Sequence, residues 1–228
     1  GEMYVKKATV EYHASARLDD TLDVGLQCTR IGNSSCLFTA GIFCGDRLLI
    51  SAELVYVFAD PATQTSRPVP PALRAIFEGF EAGAEMAEVR TGDWNTLGRD
   101  AGRVRTEVFV HEQGIPAEVE ADMHDISARH AVLYNRLGMP IAAGRLLQQS
   151  PGVGRIGRMA VDRSVRGAQW GRQLLDALVD AARARGDSEV QLHAQSSAEG
   201  FYRRAGFTVV GEPYEEAGIA HIAMARRL

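Results

Sequence analysis

Residues 155–186 read RIGRMAVDRSVRGAQWGRQLLDALVDAARARG, and this stretch decides the fold. A strand runs into Met159-Ala160-Val161-Asp162, a short turn of small residues follows, and a helix opens at once. Trp170, Leu174, Leu175, Leu178, Val179 and Ala182 recur at helical spacing, so the pattern predicts an amphipathic helix over 169–185. Gly186 ends it, as glycine does just past a helix C-terminus. A strand feeding such a turn leaves several backbone N–H groups unpaired at the helix start. Those donors and the positive end of the helix dipole can hold a pyrophosphate. Small residues let the phosphate approach the backbone, and Arg166 adds a fixed charge. Taken alone, the stretch reads equally well as a plain tight turn with a solvated arginine.

Working outward, strands are expected near 86–92, 130–136, 140–149 and 153–162 before the turn, with a helix over 95–110 and an acid-rich loop after it. Beyond the turn come a strand at 188–194, a helix at 197–204 and strands at 206–211 and 218–226. This is mixed α/β grammar. Residues 4–60 follow a different one. Leu22, Val24, Leu26 and Cys28 alternate with Asp23, Gly25 and Gln27, the period of a strand. Asp19-Asp20, Gly32-Asn33 and Gly45-Asp46 break the alternation as hairpin turns do. Four antiparallel strands follow, at 4–17, 21–31, 35–44 and 47–59. Pro70-Pro71 then suits a helix entry and Gly79 to Gly83 its exit. The boundary falls near Gly83, giving domains 1–82 and 83–228, with no internal duplication between them.

Composition narrows the classes. With 46% hydrophobic and 24% charged residues in 228, the chain has the usual globular mix, which excludes disorder, collagen and coiled coil. No apolar run approaches the roughly 18 residues of a membrane helix, and GEMYVKK lacks a signal-peptide core. A net charge of −4 gives no electrostatic case for nucleic acid. Cys28, Cys36 and Cys44, odd in number and eight apart, fit reduced, buried thiols on strands. The chain reads as cytoplasmic, without membrane or nucleic-acid partners.

A second segment, QLHAQSSAEGFYRRAGF at 191–207, gives the turn its meaning. Together with VRTEVFVHEQGIP (104–116), EVEADMHDISARHAVL (118–133), AAGRLL (142–147) and GEPYEEAGIAHIAM (211–224), it makes residues 86–228 resemble a GCN5-related N-acetyltransferase (GNAT) of the ElaA-like branch. The resemblance implies acetyl-CoA as cofactor and an amine acceptor, small molecule or peptide, that attacks the thioester directly. Met159, Ala160 and Val161 would pair their backbone with the pantetheine arm, with an N–H near Met159 acting as an oxyanion hole. Arg166, Gly167, Ala168, Gln169, Trp170, Gly171 and Arg172 would cradle the pyrophosphate. Gln195 stands where many members have asparagine. Gln169 departs from the family pattern, which has a glycine there, and a Cβ at that point bears on cofactor affinity more than on fold.

Tyr202 matches the general acid that protonates the departing thiolate; its other reading is an aromatic ring buried on a helix face. The general base stays open. Relatives use a glutamate on the strand entering the turn, where this chain has Arg155 and Arg158, so the candidates are Glu112, Glu120, Asp122 and His124. Glu118, Glu120, Asp122, His124 and Asp125 match no metal-site signature. The run reads either as a solvated loop or as acids that draw in a cationic amine. His193, on a strand, reads as packed or hydrogen-bonded rather than catalytic.

The first half resembles a hot-dog thioesterase of the 4-hydroxybenzoyl-CoA type, on ATVEYHASARLDDTLDV (8–24), TRIGNSSCLFTAGIF (29–43), LISAELVYVFAD (49–60) and RPVPPAL (67–73). That family carries its catalytic acid upstream of these strands or on a central helix. Residues 1–82 therefore read as a partial hot-dog sheet lacking its first strand and central helix, with native residues expected upstream. Such a sheet would leave one apolar face with nothing to bury it. Hot-dog sheets pair edge to edge, so the resemblance implies a homo-oligomer organised by this half. The expected fold is α/β (α+β): a GNAT fold with a mixed central sheet flanked by helices, preceded by a partial antiparallel hot-dog sheet. The leading function is an acetyl-CoA-dependent N-acetyltransferase fused to a thioesterase-like domain. The alternatives are an acyl-CoA thioesterase with a CoA-binding second half, or a non-catalytic acyl-CoA sensor.

Overall fold

The structure, a computed structural model, describes residues 1–216 and 218–228. The chain divides into two compact units, Gly1–Met86 and Ala87–Leu228.

In the first unit, strands β1 (Glu2–Tyr12), β2 (Asp23–Ile31), β3 (Ser35–Cys44) and β4 (Arg47–Ala59) form an antiparallel sheet in the order β1-β4-β3-β2. The register puts Val24, Leu26 and Cys28 on one face with Cys36, Phe38, Ala40 and Ile42. Ile50, Ala52, Leu54 and Tyr56 continue that face through β4, and Val5, Ala8, Val10 and Tyr12 complete it on β1. Helix α1 (Pro71–Glu81) covers one end of it. Phe77 meets Phe38 edge-on at 5.5 Å, Arg74 donates to the carbonyls of Ile31 and Gly32, and Glu81 accepts from the Cys28 N–H. The rest of the face is open: Tyr12, Val24 and Leu26 are 78%, 71% and 57% exposed. Strand β1 ends at Tyr12 rather than running on to residue 17. All three cysteines are free, but only Cys36 is fully buried.

The second unit is built on a mixed sheet. Its strands are β5 (Ala87–Gly92), β6 (Arg129–Asn135), β7 (Pro140–Ser150), β8 (Val153–Val161), β9 (Glu189–Gln195), β10 (Thr208–Val209), β11 (Tyr214–Glu216) and β12 (Ile219–Arg227). The spatial order is β10-β12-β9-β8-β7-β6-β5, with β11 also on β12. Among the described residues only β8 and β9 are parallel, joined by helix α4 (Trp170–Arg185); such a crossover needs a helix-length connection. Helices α2 (Trp94–Arg105), α3 (Ala117–Glu120) and α5 (Glu199–Arg204) complete the unit.

Both sheet faces are covered where β6 and β7 lie. Ala131, Leu133 and Ala142 pack under Leu174, Leu175 and Leu178 of α4. Their alternates Val132, Tyr134 and Ala143 pack under Leu97, Ala101 and Val104 of α2. Strands buried on both faces lose the apolar–polar alternation, which is why HAVLYN and IAAGRLL read as continuous apolar runs. The helix expected over 95–110 stops at Arg105 and continues as a π-helix, Thr106–Glu112. The strand expected at 206–211 shrinks to two residues, and β11 was not anticipated.

Candidate functional site

The site begins as a defect in the sheet. Strands β7 and β8 pair Ala143 with Ala160 and Arg145 with Gly157, so Arg158 and Met159 together oppose Gly144. Arg158 takes a left-handed backbone, φ 53°. This is a β-bulge, and it resets which way the following side chains point. Met159 and Val161 pack with the α4 layer, whereas the Arg158 guanidinium turns to the Val119 carbonyl and Asp122. Gly144 makes room for the bulge, since a Cβ there would lie 2.8 Å from Met159 Sδ and 2.9 Å from Leu178 Cδ1.

Strands β8 and β9 then part. Their last pair is Ile156 with Leu192, although β8 continues to Val161 and β9 to Gln195. Along residues 157–161 the edge of β8 towards β9 has no partner strand, so a ligand with amide groups can take the place of one.

At the mouth of this opening Asp162 caps a short 3₁₀ turn through Ser164, and the backbone enters left-handed conformations at Gly167 (φ 91°) and Gln169 (φ 62°). Among the described residues, the N–H groups of Gly167, Ala168, Gln169, Trp170 and Gly171 make no hydrogen bond. A Cβ on Gly167 would meet nothing within 4 Å, and one on Gly171 only ordinary contacts, so space as well as donors is available. The turn fits a pyrophosphate. Gln169 occupies its glycine-like backbone at a cost of about 1–2 kcal/mol.

The charges are arranged differently from the sequence expectation. Arg166 donates from Nε to the Val161 carbonyl and from both terminal nitrogens to Glu112, at 2.7 and 2.6 Å. The hydrogen bonds from Arg166 hold the Glu112 carboxyl below its ordinary value. Both Glu112 oxygens are thus engaged at the turn, which leaves it a clamp on Arg166 rather than a free base. Glu120 is likewise not available: it is 5% exposed and accepts from Arg105 Nε at 2.5 Å.

The acid-rich loop is no solvated run. Arg105 forks onto Asp125 at 2.8 and 2.9 Å, and Arg145 forks onto Asp122 at 2.6 Å through both terminal nitrogens and also reaches Asp125. Arg158 joins at Asp122. Three arginines therefore neutralise three acids. The hydrogen bonds from Arg145 hold Asp122 far below the carboxylate range. For Asp125, burial pushes the other way and is outweighed by Arg105 and Arg145. His130 sits beneath, its Nε2 on the Asp125 carbonyl at 2.9 Å, and burial lowers its pKa. Glu120, Asp122 and Asp125 are each committed to an arginine, while Glu118 is exposed. The three committed acids anchor the loop to α2, β7 and β8. The signal was in the sequence as arginines 105, 145 and 158, which bond to three of the run's four acids across up to 36 residues of chain.

Tyr202 on α5 is 8% exposed, wedged edge-on between Phe201 at 4.9 Å and Phe207 at 6.0 Å. Burial raises its pKa to about 12, and its hydroxyl makes no hydrogen bond among the described residues. Gln195, at the end of β9, donates to Gln113 Oε1 at 3.1 Å. Trp170, the first residue of α4, packs on the core, and Arg172 is held by Asp176 and the Arg204 carbonyl. Among the described residues no group of three or more His, Cys, Asp or Glu is placed to hold a metal ion.

A strand parted from its parallel neighbour above an amide-lined helix start defines a CoA-dependent acyltransferase. The chain belongs to the GNAT acetyltransferase family, whose domain profile matches residues 95–228, and acetyl-CoA is its cofactor. It is 39% identical over 127 residues to the uncharacterised N-acetyltransferase YjcF of Bacillus subtilis, covering 55% of this chain and 89% of that protein. It is 35% identical over 133 residues to ElaA of Escherichia coli, covering 55% and 84%. The crystal structure of Escherichia coli ElaA superposes with a TM-score of 0.56 at 30% identity, over 62% of this chain and 99% of that one. An acyl-CoA N-acyltransferase from Pseudomonas aeruginosa does so with 0.56 at 33%, over 61% and 99%. Residues 2–57 match the thioesterase superfamily.

Proposed function

We propose that the second unit transfers an acetyl group directly to the nitrogen of a small-molecule or peptide amine. Acetyl-CoA supplies the activated thioester. The observation that carries this reading is the parting of β8 and β9 beside a turn with five unpaired N–H groups. Those groups, from Gly167 to Gly171, take the pyrophosphate, with Arg166 held at the turn by Glu112. The open edge of Met159-Ala160-Val161, where Arg166 already takes the Val161 carbonyl, pairs with the pantetheine amides, and an N–H near Met159 polarises the thioester carbonyl. Tyr202, protonated at any physiological pH, gives its proton to the leaving thiolate.

The first unit is proposed as a thioesterase-like domain, with the division between domains near residue 83. Its open apolar face and its edge strands support assembly with a second copy, and light scattering would then give at least twice 24.8 kDa. No helix among the described residues is long and apolar enough to cross a membrane, and a cytoplasmic setting is proposed with the rest. The test is free-CoA release from acetyl-CoA across a panel of tryptamine, spermidine, L-lysine and glycylglycine. Release that requires an amine supports the transferase. Release without one that survives Arg166→Ala supports a thioesterase in its place.

A further inference from the structure

In the transferase reading above, the cofactor lies at the head of α4, which leaves the acceptor the other face of the sheet. Helix α2 covers that face over β6 and β7, and its layer extends along β8 only at Ala160. Ile156, Leu192 and Ala194 point into the core under α4. Their alternates Arg155, Gly157 and His193 therefore stand on the acceptor face, outside the α2 layer. A Cβ on Gly157 would meet nothing within 4 Å. Open space thus lies between Arg155 and the bulge.

The arginines around the opening are not alike. Arg105, Arg145, Arg158 and Arg166 are each paired with a carboxylate. Arg155 is half-buried, and among the described residues no carboxylate partners it. Its Nη2 approaches a ring nitrogen instead, His193 Nδ1 at 3.4 Å. The Tyr214 hydroxyl lies 2.5 Å from the same nitrogen, which sets the imidazole beside the guanidinium. A guanidinium keeps its charge at any physiological pH and has five N–H donors, so one without a carboxylate is a ready partner for an anion.

The register places that charge along the strand. Arg155 pairs with Gln191, so His193, two residues on, is level with Gly157. The guanidinium that meets His193 therefore reaches the level of Gly157. Met159 follows two residues further along β8, a step of roughly 7 Å. We propose that Arg155 binds a carboxylate of the acceptor, and that the acceptor is an amine bearing this carboxylate several bonds from the reacting nitrogen. The ε-amine of lysine and the terminal amine of a dipeptide have that form. The assignment rests on the transferase reading, since it takes the thioester to lie beside Met159. Arg155 is then a specificity residue. It holds the far end of the acceptor, takes no proton and touches no reacting atom.

Matched acceptors on the full chain test this: L-lysine against cadaverine, and glycylglycine against glycylglycinamide. Each pair differs in the carboxylate. In the wild type the carboxylate member should have the higher kcat/KM, by about tenfold in at least one pair, with the difference in KM. Arg155→Met should bring that ratio to within about twofold of unity by raising KM, and Arg155→Lys should restore part of it. Hexanoate, which has the carboxylate and no amine, should compete with the acceptor in the wild type, and about tenfold more weakly in Arg155→Met. A wild-type ratio near unity in both pairs, or a ratio that survives Arg155→Met, would overturn the assignment and leave the transferase reading intact. A wild type that acetylates no amine of these pairs or of the panel would overturn both.

Discussion

Gln169 stands where the family pattern has a glycine, and it takes a glycine-like backbone. Its φ of 62° is the conformation a glycine adopts freely, so the backbone amides keep their direction although the side chain is larger. Gln169→Gly should raise stability by about 1 kcal/mol, relieving the left-handed strain, and leave CoA affinity equal or tighter. A calorimetric Kd weakened by the glycine would contradict this. Tyr202 has the opposite character: the ring is locked by Phe201 and Phe207, and only the hydroxyl is uncommitted. Tyr202→Phe should cost roughly 10²-fold in kcat with little change in melting temperature, because the phenyl ring fills the same space. A loss of several degrees with kcat retained would make the tyrosine a core residue only. The motif pointed to both positions. His193 read as packed or hydrogen-bonded without a named partner, because Tyr214 lies 21 residues on, in a strand of three residues flanked by Glu212-Pro213 that carries no alternation to read.

At the level of elements, the bulge in β8 and the arginine–carboxylate cluster belong together, since Arg158 is a member of both. Gly144→Ala would push a methyl against Met159 and Leu178 and should cost about 1–3 kcal/mol while weakening CoA binding. Asp125→Asn removes the carboxylate shared by two buried arginines and should cost about 3–5 kcal/mol, visible in urea denaturation. The pH dependence follows from the same pairs. Asp122 and Asp125 are both lowered in the folded state. Their contribution is complete above the unfolded carboxylate pKa of about 4 and is lost as pH falls through the folded values. Stability of the second unit should therefore decline steeply below about pH 4, and less so in Asp122→Asn. Sequence periodicity located α4 and β6 to β8 well, because each buries a regular apolar set. The acids between Glu118 and Asp125 read either as a solvated loop or as a lure for a cationic amine, because the arginines that pair with them lie on other elements.

Over the whole molecule, burial is uneven. Both clusters of buried apolar side chains lie in Ala87–Leu228, whereas Cys36, Leu49, Ala59 and Val69 are the buried apolar residues of Gly1–Met86 among those described. Hydrogen exchange should accordingly be faster in β1 and β2 than in β7 to β9, and equal protection would mean that the open face is covered in solution. The alternation in residues 4–60 disclosed that sheet and its turns, but alternation says nothing of what lies against the apolar face. The central claim concerns the second unit: acetyl transfer to an amine at the parting of β8 and β9. The most direct test is the rate of CoA release from acetyl-CoA with and without the amine panel, in the wild type and in Tyr202→Phe. The account predicts release that needs an amine, appears with stoichiometric N-acetylated product and falls roughly 10²-fold in the variant. Release that ignores the amine and the tyrosine alike would contradict it.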